Sequence, residues 1–180
     1  MGATNNDIPK AYLERMRQYL GGDYQAFLET YQKEPLSGLR VNTLKMSTEV
    51  FQCISPFLLE KVDWCASGFI VQGNSRPGKH PYHAAGLYYL QEPSAMAVVE
   101  LLNPQPGERV IDLAAAPGGK ATHIAARLQQ QGLLIANEIH PRRVADLAQN
   151  LERWGAHNVV ILNETTQRLA DHFGAYFDRV

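Results

Sequence analysis

At 180 residues, with 45% hydrophobic and 19% charged side chains, the chain has the composition of an ordinary folded protein, which excludes disordered, collagen-like and low-complexity classes. Its 17 Lys+Arg against 18 Asp+Glu leave a net charge of -1, so no global attraction to a polyanion is written into it. No run approaches the roughly 20 apolar residues that cross a bilayer. The first 20 residues are polar and charged throughout, unlike the apolar core of a signal peptide, so no membrane partner and a cytoplasmic location are expected. Cys53 and Cys65 lie 12 residues apart without Cys-x-x-Cys spacing and read as ordinary thiols, with neither a disulfide scaffold nor a metal site expected.

Residues 1–84 read as a small α+β domain. Tyr12, Leu13, Met16, Tyr19 and Leu20, then Tyr24, Phe27, Leu28 and Tyr31, recur at helical spacing on either side of Gly21-Gly22, which predicts two short helices with Asp23 capping the second. GLRVNTL (38–44) alternates Leu39, Val41 and Thr43 with Arg40 and Asn42, the pattern of a half-buried strand. Ser47 or Thr48 can cap a helix through Val50, Phe51 and Ile54, GFIVQ (68–72) predicts another strand, and residues 74–86 have the Pro and Gly content of a loop or domain junction. Arg76, Lys79, His80 and His83 in that loop are a candidate basic surface, with a solvated loop as the plainer reading.

Residues 85–180 change rhythm. A helix over Ser94–Leu102, the strand RVIDL, a helix over 119–130, the strand LLIAN, a helix over 141–154 with Val144, Leu147, Ala148 and Leu151 on one side, the strand VVIL and a further helical interval follow in turn. Repeated strand-helix-strand order predicts an α/β fold with a mostly parallel sheet. YFDRV (176–180) resembles a strand just starting. Three clear strands and an incipient fourth are few for such a sheet, so a Rossmann-like sheet truncated at its C-terminal side is expected, with an open edge that favours self-association.

The run RVIDLAAAPGGKATHIA (109–125) carries the chemistry. A short apolar strand ends at Asp112, small residues make the turn, Pro117-Gly118-Gly119 bring the backbone close to whatever lies above, and a helix begins near Lys120. Free N–H groups at that helix start would meet a ligand at the strand's C-terminal end. A tight βα turn with no ligand is the plainer alternative. Lacking G-x-x-x-x-G-K-[ST] and G-x-G-x-x-G, the run is neither a Walker loop nor a standard dinucleotide turn. Glu138, 26 residues after Asp112, ends the next strand where its carboxylate could accept both ribose hydroxyls of a nucleoside cofactor.

Taken with GLRVNTLK (38–45), the segments QEPSAM (91–96), APGGK (116–120), NLERWG (150–155) and FDRV (177–180) resemble the N-terminal part of the Nol1/Nop2/Sun family of RNA cytosine-5 methyltransferases, especially its bacterial ribosomal RNA members. The resemblance touches most of the chain. It implies S-adenosylmethionine as cofactor, held by Ala114, Ala115, Ala116, Pro117, Gly118, Gly119 and Lys120, with Glu138 as the ribose-binding acid and Arg143 organising that edge of the site. Ala114 and Ala121 replace the Cys and Thr frequent in the family, keeping the residues small. Thr165 stands where the family often has an aspartate near the adenine.

The chemistry so implied adds a cysteine thiolate to C6 of cytosine, which makes C5 nucleophilic toward the S-methyl group. The family's catalytic thiol follows the FDRV strand and is absent from these 180 residues, while Cys53 and Cys65 match none of its positions. These residues by themselves are therefore expected to bind S-adenosylmethionine weakly or not at all and to be inactive in RNA methylation. RNA, ribosomal RNA in particular, is the implied partner, with Arg40, Lys45, Arg76 and Lys79 as candidate phosphate contacts. Two other functions compete: a non-catalytic RNA-binding or assembly module, and a nicotinamide-dependent oxidoreductase.

Overall fold

The computed structural model describes residues 8–33, 35–73 and 75–180; residues 1–7 of the predicted first domain and Asn74, which opens the predicted loop, lie outside them. The chain divides into two compact units between Leu36 and Ser37. In the first, helices α1 (Lys10–Leu20) and α2 (Tyr24–Thr30) form where the apolar spacing places them, joined by a single 3-10 turn over Gly21–Asp23. Phe27 packs against Tyr12 and, edge-on, against Tyr31, with ring centroids 6.4 and 5.3 Å apart. Asp23 does not cap α2. Its backbone is already helical (φ -83°, ψ -3°), so its carboxylate lacks the extended cap geometry and makes no cap bond.

The second unit begins with an antiparallel sheet of order β2-β3-β1-β4, built from β1 (Ser37–Val41), β2 (Leu59–Val62), β3 (Cys65–Val71) and β4 (Tyr88–Leu90). Helix α3 (Thr48–Ile54) is capped by Ser47, whose hydroxyl accepts from the Val50 N–H, and it buries Phe51 against Leu39, Val41, Phe69 and Tyr88. The loop after Asn74 holds a 3-10 turn over Pro77–Lys79 and the short helix α4 (Pro81–Ala84). Strand β4 lies beyond the boundary drawn at 84/85, because Pro and Gly content marks where the chain turns, whereas pairing of Leu39 with Leu90 and Val41 with Tyr88 decides which strands share a sheet.

The alternation read in β1 is corrected too. Arg40 and Asn42, expected on a solvated face, are as fully buried as Leu39 and Val41. Arg40 is covered by Gln91, Gly119, Thr122 and Trp154, and Asn42 by the Gly86 and Trp154 carbonyls. Helix α5 (Pro93–Leu102) packs on the same sheet, where a Cβ at Gly38 would lie 2.9 Å from Pro93 Cδ and one at Gly68 2.5 Å from Met96 Sδ.

The parallel sheet, of order β5-β6-β7, comprises β5 (Arg109–Asp112), β6 (Leu133–Asn137) and β7 (Val159–Leu162), with α6 (Gly119–Leu128), α7 (Pro141–Trp154) and α8 (Thr166–Phe173) in the alternation expected. Its principal core joins Val110, Ala121, Ile124, Ala125, Leu128, Leu134, Leu147, Leu151 and Trp154. Helix α6 ends two residues before the predicted limit, because Gln129 and Gln130 take left-handed backbone (φ 51° and 62°). At the other edge of β5 the incipient strand amounts to one parallel bridge, Val110 with Arg179. Leu101 and Val180, 86% and 72% exposed, lie beside that edge. Among the described residues no helix is long and apolar enough to cross a membrane.

Candidate functional site

Parallel pairing of β5 with β6, in which Asp112 opposes Ala136, brings Asp112 and Glu138 to neighbouring strand ends. Asn137, 1% exposed, fastens these ends together. Its Nδ2 donates to the carbonyls of Leu113 (3.2 Å) and Glu164 (3.0 Å), its Oδ1 accepts from the Glu164 N–H (3.0 Å), and its carbonyl accepts from the Ala115 N–H (2.8 Å).

The turn between β5 and α6 is held from outside by α7. Arg143 Nη2 donates to the Ala116 carbonyl and Asn150 Nδ2 to the Pro117 carbonyl, each at 2.7 Å. Gly118 has φ +115°, a region closed to most L-residues, and a Cβ there would press on the Asn150 side chain at 3.3 Å. Helix α6 starts at the next residue without a side-chain cap, so its first N–H groups remain at the positive end of the helix dipole. Of the predicted cradle, Ala115, Ala116 and Gly118 are buried, Gly119 is half-buried, and Ala114, Pro117 and Lys120 are exposed.

Two carboxylate oxygens in this place lack hydrogen-bond donors. Glu138 is 2% exposed; its Oε1 accepts from the His140 N–H at 2.9 Å, while Oε2 has Arg143 Nη1 at 3.2 Å as a counter-charge but off the hydrogen-bonding direction. Asp112 Oδ1 accepts from the Ala114 N–H at 3.1 Å, and Oδ2 is buried without a partner. Burial raises the Asp112 carboxyl above its ordinary range, opposed by the Ala114 hydrogen bond and by Lys120. Two such acceptors at adjacent strand ends, beside small residues and a helix N-terminus, suit a ligand with hydroxyl or ammonium donors and an anionic group. Asp112, Asn137 and Asn150 were not singled out from sequence as site residues. The available signal was a polar residue closing an apolar strand in two of the three cases.

The phosphate-contact candidates separate. Arg40 is corrected: at 0% exposure its guanidinium cannot reach a phosphate and is held instead by Gln91, Gly119 and Thr122. Lys45 is exposed, but its ammonium donates to the Ala85 and Arg153 carbonyls at 2.8 and 2.7 Å. Arg76 and Lys79 are exposed. His80 turns back to cap α4 through Nδ1, and His83 lies against Arg153 at 3.3 Å, so neither extends the basic surface. Thr165 spends its hydroxyl capping α8 through the Arg168 N–H.

A further polar cluster joins Cys65, Glu100 and His123, with ligand atoms within 4.8 Å of one another. Its charge opposes a cation. Glu100 already receives His123 Nε2 at 3.1 Å and Arg127 at 3.6 Å, and the buried Arg40 adds positive charge nearby.

Residues 8–93 match the family described as the N-terminal domain of 16S rRNA methyltransferase RsmF, and residues 99–180 match that of 16S rRNA methyltransferase RsmB/F. Ribosomal RNA small subunit methyltransferase F of Enterobacter sp. (strain 638) is 40% identical over 166 residues, covering 86% of this chain and 34% of that protein. The protein of the same name from Pectobacterium atrosepticum is 35% identical, covering 98% and 39%. The chain thus spans about a third to two-fifths of the length of these curated relatives. Among solved structures, a methyltransferase homolog protein from Pyrococcus horikoshii superposes with a TM-score of 0.82 at 30% identity, covering 92% of this chain and 55% of that one. NSun6 from Pyrococcus horikoshii shares the fold, with a TM-score of 0.79 at 18% identity over 91% of this chain and 67% of that one.

Proposed function

Because the chain belongs to the RsmB/F family of 16S rRNA methyltransferases, we propose that its protein transfers a methyl group from S-adenosylmethionine to C5 of a cytosine in ribosomal RNA, with the β5–α6 turn and the end of β6 holding the cofactor. The carrying observation is the pair of donor-less carboxylate oxygens, Asp112 Oδ2 and Glu138 Oε2, at adjacent strand ends. When bound, the cofactor supplies an electrophilic methyl group on a sulfonium. Glu138 would accept from its ribose hydroxyls and Asp112 from its ammonium, while Lys120 and the first N–H groups of α6 would meet its carboxylate. Ala114, Ala115 and Ala116 present no side chain large enough to obstruct it. Arg143 stands beside Glu138 as its counter-charge at 3.2 Å and fixes the Ala116 carbonyl of the turn.

The choice of cytosine C5 is supported by the joint occurrence of QEPSAM, APGGK and NLERWG. Arg76 and Lys79 are proposed as phosphate contacts because both are exposed. A ribosomal RNA substrate in turn supports a cytoplasmic location. Residues 1–180 alone are proposed not to methylate RNA. Cys65 is buried with its thiol pushed up by that burial, and Cys53 sits on α3, outside the β5–α6 turn.

Calorimetric titration of the chain with S-adenosylmethionine and with NAD tests the cofactor. Preferential binding of the former, weakened at least about tenfold by Glu138→Gln at unchanged melting temperature, is the expected result; a hydrogen-bonded charge at roughly 1.5–3 kcal/mol sets that scale. Preference for NAD, or indifference to Glu138→Gln, overturns the assignment. Methyl transfer is read as 5-methylcytosine in hydrolysed ribosomal RNA: its formation by residues 1–180 alone overturns the inactivity, and methylation at another base atom by the full-length protein overturns the C5 assignment.

A further inference from the structure

Three of the segments that carry the sequence resemblance meet at one buried side chain supplied by a fourth, GLRVNTLK. Arg40 Nε donates to Gln91 Oε1 of QEPSAM at 2.9 Å. Its Nη2 donates to the Gly119 carbonyl of APGGK at 3.1 Å and to Thr122 Oγ1 at 2.7 Å. Its guanidinium lies 4.7 Å from the ring centroid of Trp154 in NLERWG. We propose that Arg40 is a positioning residue for the cofactor turn: from β1 it sets the backbone of Gly118–Lys120, so that the turn is formed before the cofactor arrives. The inference rests on the cofactor assignment above and adds to it a residue that touches no ligand.

The energetics point the same way. A fully buried cation is expensive to desolvate, and burial lowers the Arg40 pKa to about 9. None of its hydrogen-bond partners is a carboxylate, and Nη1 has no partner at all. It also stands beside the first turn of α6, where the helix dipole disfavours a cation. An apolar residue of similar volume would suit stability better at this position. What the guanidinium alone provides is a planar fork that fixes several acceptors at once. Thr122 extends its reach: while accepting from Arg40, its hydroxyl donates to the Gly118 carbonyl at 2.7 Å, so both glycine carbonyls are tied on the inner side of the turn.

Asn42, two residues along, supplies the comparison. It is equally buried and bridges the carbonyls of Gly86 and Trp154 at 2.8 Å each, with no bond to the turn. It holds the fold without setting the site.

The experiment measures S-adenosylmethionine affinity, melting temperature and amide exchange for the wild type, Arg40→Met, Arg40→Lys, Thr122→Val and Asn42→Ala. Arg40→Met should keep its melting temperature, lose at least about tenfold in affinity and exchange the 122–125 amides, the first hydrogen-bonded ones of α6, at least about tenfold faster without ligand. Arg40→Lys, which keeps charge but loses the fork, should resemble it, and Thr122→Val should show a weaker form of the same change. Asn42→Ala should lower the melting temperature and, when folded, bind within twofold of wild type. Unchanged affinity and exchange in the Arg40 variants overturn the proposal, as does an affinity loss in Asn42→Ala matching theirs. If the Arg40 variants do not fold, unchanged exchange in Thr122→Val overturns it, and faster exchange confined to 122–125 supports it. A wild type that ignores S-adenosylmethionine refutes the cofactor assignment, while ligand-free exchange still decides whether Arg40 sets the turn.

Discussion

His123 should make the chain acid-labile well above the carboxylate range, and His123→Gln should remove that lability. The imidazole lies in α6 with its side chain 2% exposed, and burial pushes its pKa from 6.5 down to about 4, helped by Arg40 and opposed by Glu100. In the unfolded chain the ring takes a proton below about pH 6.5; in the folded chain it does so only below about 4. Stability fully present above 6.5 is therefore lost progressively down to 4 and levels off below it. At roughly 1.4 kcal/mol per pH unit, about 2 kcal/mol disappears between pH 7.5 and 5, before most carboxylates titrate. Urea denaturation followed by tryptophan fluorescence, which the buried Trp154 helps report, measures the loss at several pH values in that interval. The glutamine amide can still donate toward Glu100, and His83, also lowered by burial, is present in both proteins and cancels in the difference. Stability curves of wild type and variant that stay parallel to within about 0.5 kcal/mol would refute the reasoning.

Three further outcomes are expected. Gly38→Ala should cost about 1–3 kcal/mol or more in denaturant titration, since its Cβ would meet the Gln91 carbonyl at 2.3 Å and Pro93 Cδ at 2.9 Å; near-wild-type stability would show that β1 and α5 can separate cheaply. Ser47→Ala should cost about 1 kcal/mol by removing the α3 cap, with Thr48→Ala within about 0.5 kcal/mol of wild type, and equal effects would reject Ser47 as the cap. An aromatic disulfide reagent should label exposed Cys53 quickly and buried Cys65 only on unfolding, because burial both blocks Cys65 and raises its thiol pKa; two equally fast thiols would contradict this.

Local patterns were legible where one side chain or one period decides the outcome. Helical spacing placed α1, α2 and α7, apolar runs placed β5, β6 and β7, and the pair Ser47-Thr48 announced the start of α3. The glycines of APGGK were legible for the same reason, since the backbone angle at Gly118 restricts the residue type directly. Arg40 was misread for the converse reason. A basic residue in a strand reads as solvated, and nothing local reveals that Gln91 and α6 will cover it. Asp23 and Lys45 fall in the same class, each having a role that depends on backbone geometry or carbonyls supplied by the fold.

Sequence alone thus determined the order of helices and strands, the glycine turn after β5 and the carboxylate after β6, because these follow from periodicity and from the conformational freedom of single residues. Tertiary structure alone decided that β4 joins the antiparallel sheet, that Asp112 and Glu138 keep donor-less oxygens at adjacent strand ends, and that Arg40 is a buried hub instead of a surface contact. Burial and hydrogen-bond satisfaction belong to pairs of segments up to 112 residues apart, as between Asn42 and Trp154, and a linear pattern does not contain them until the chain has packed.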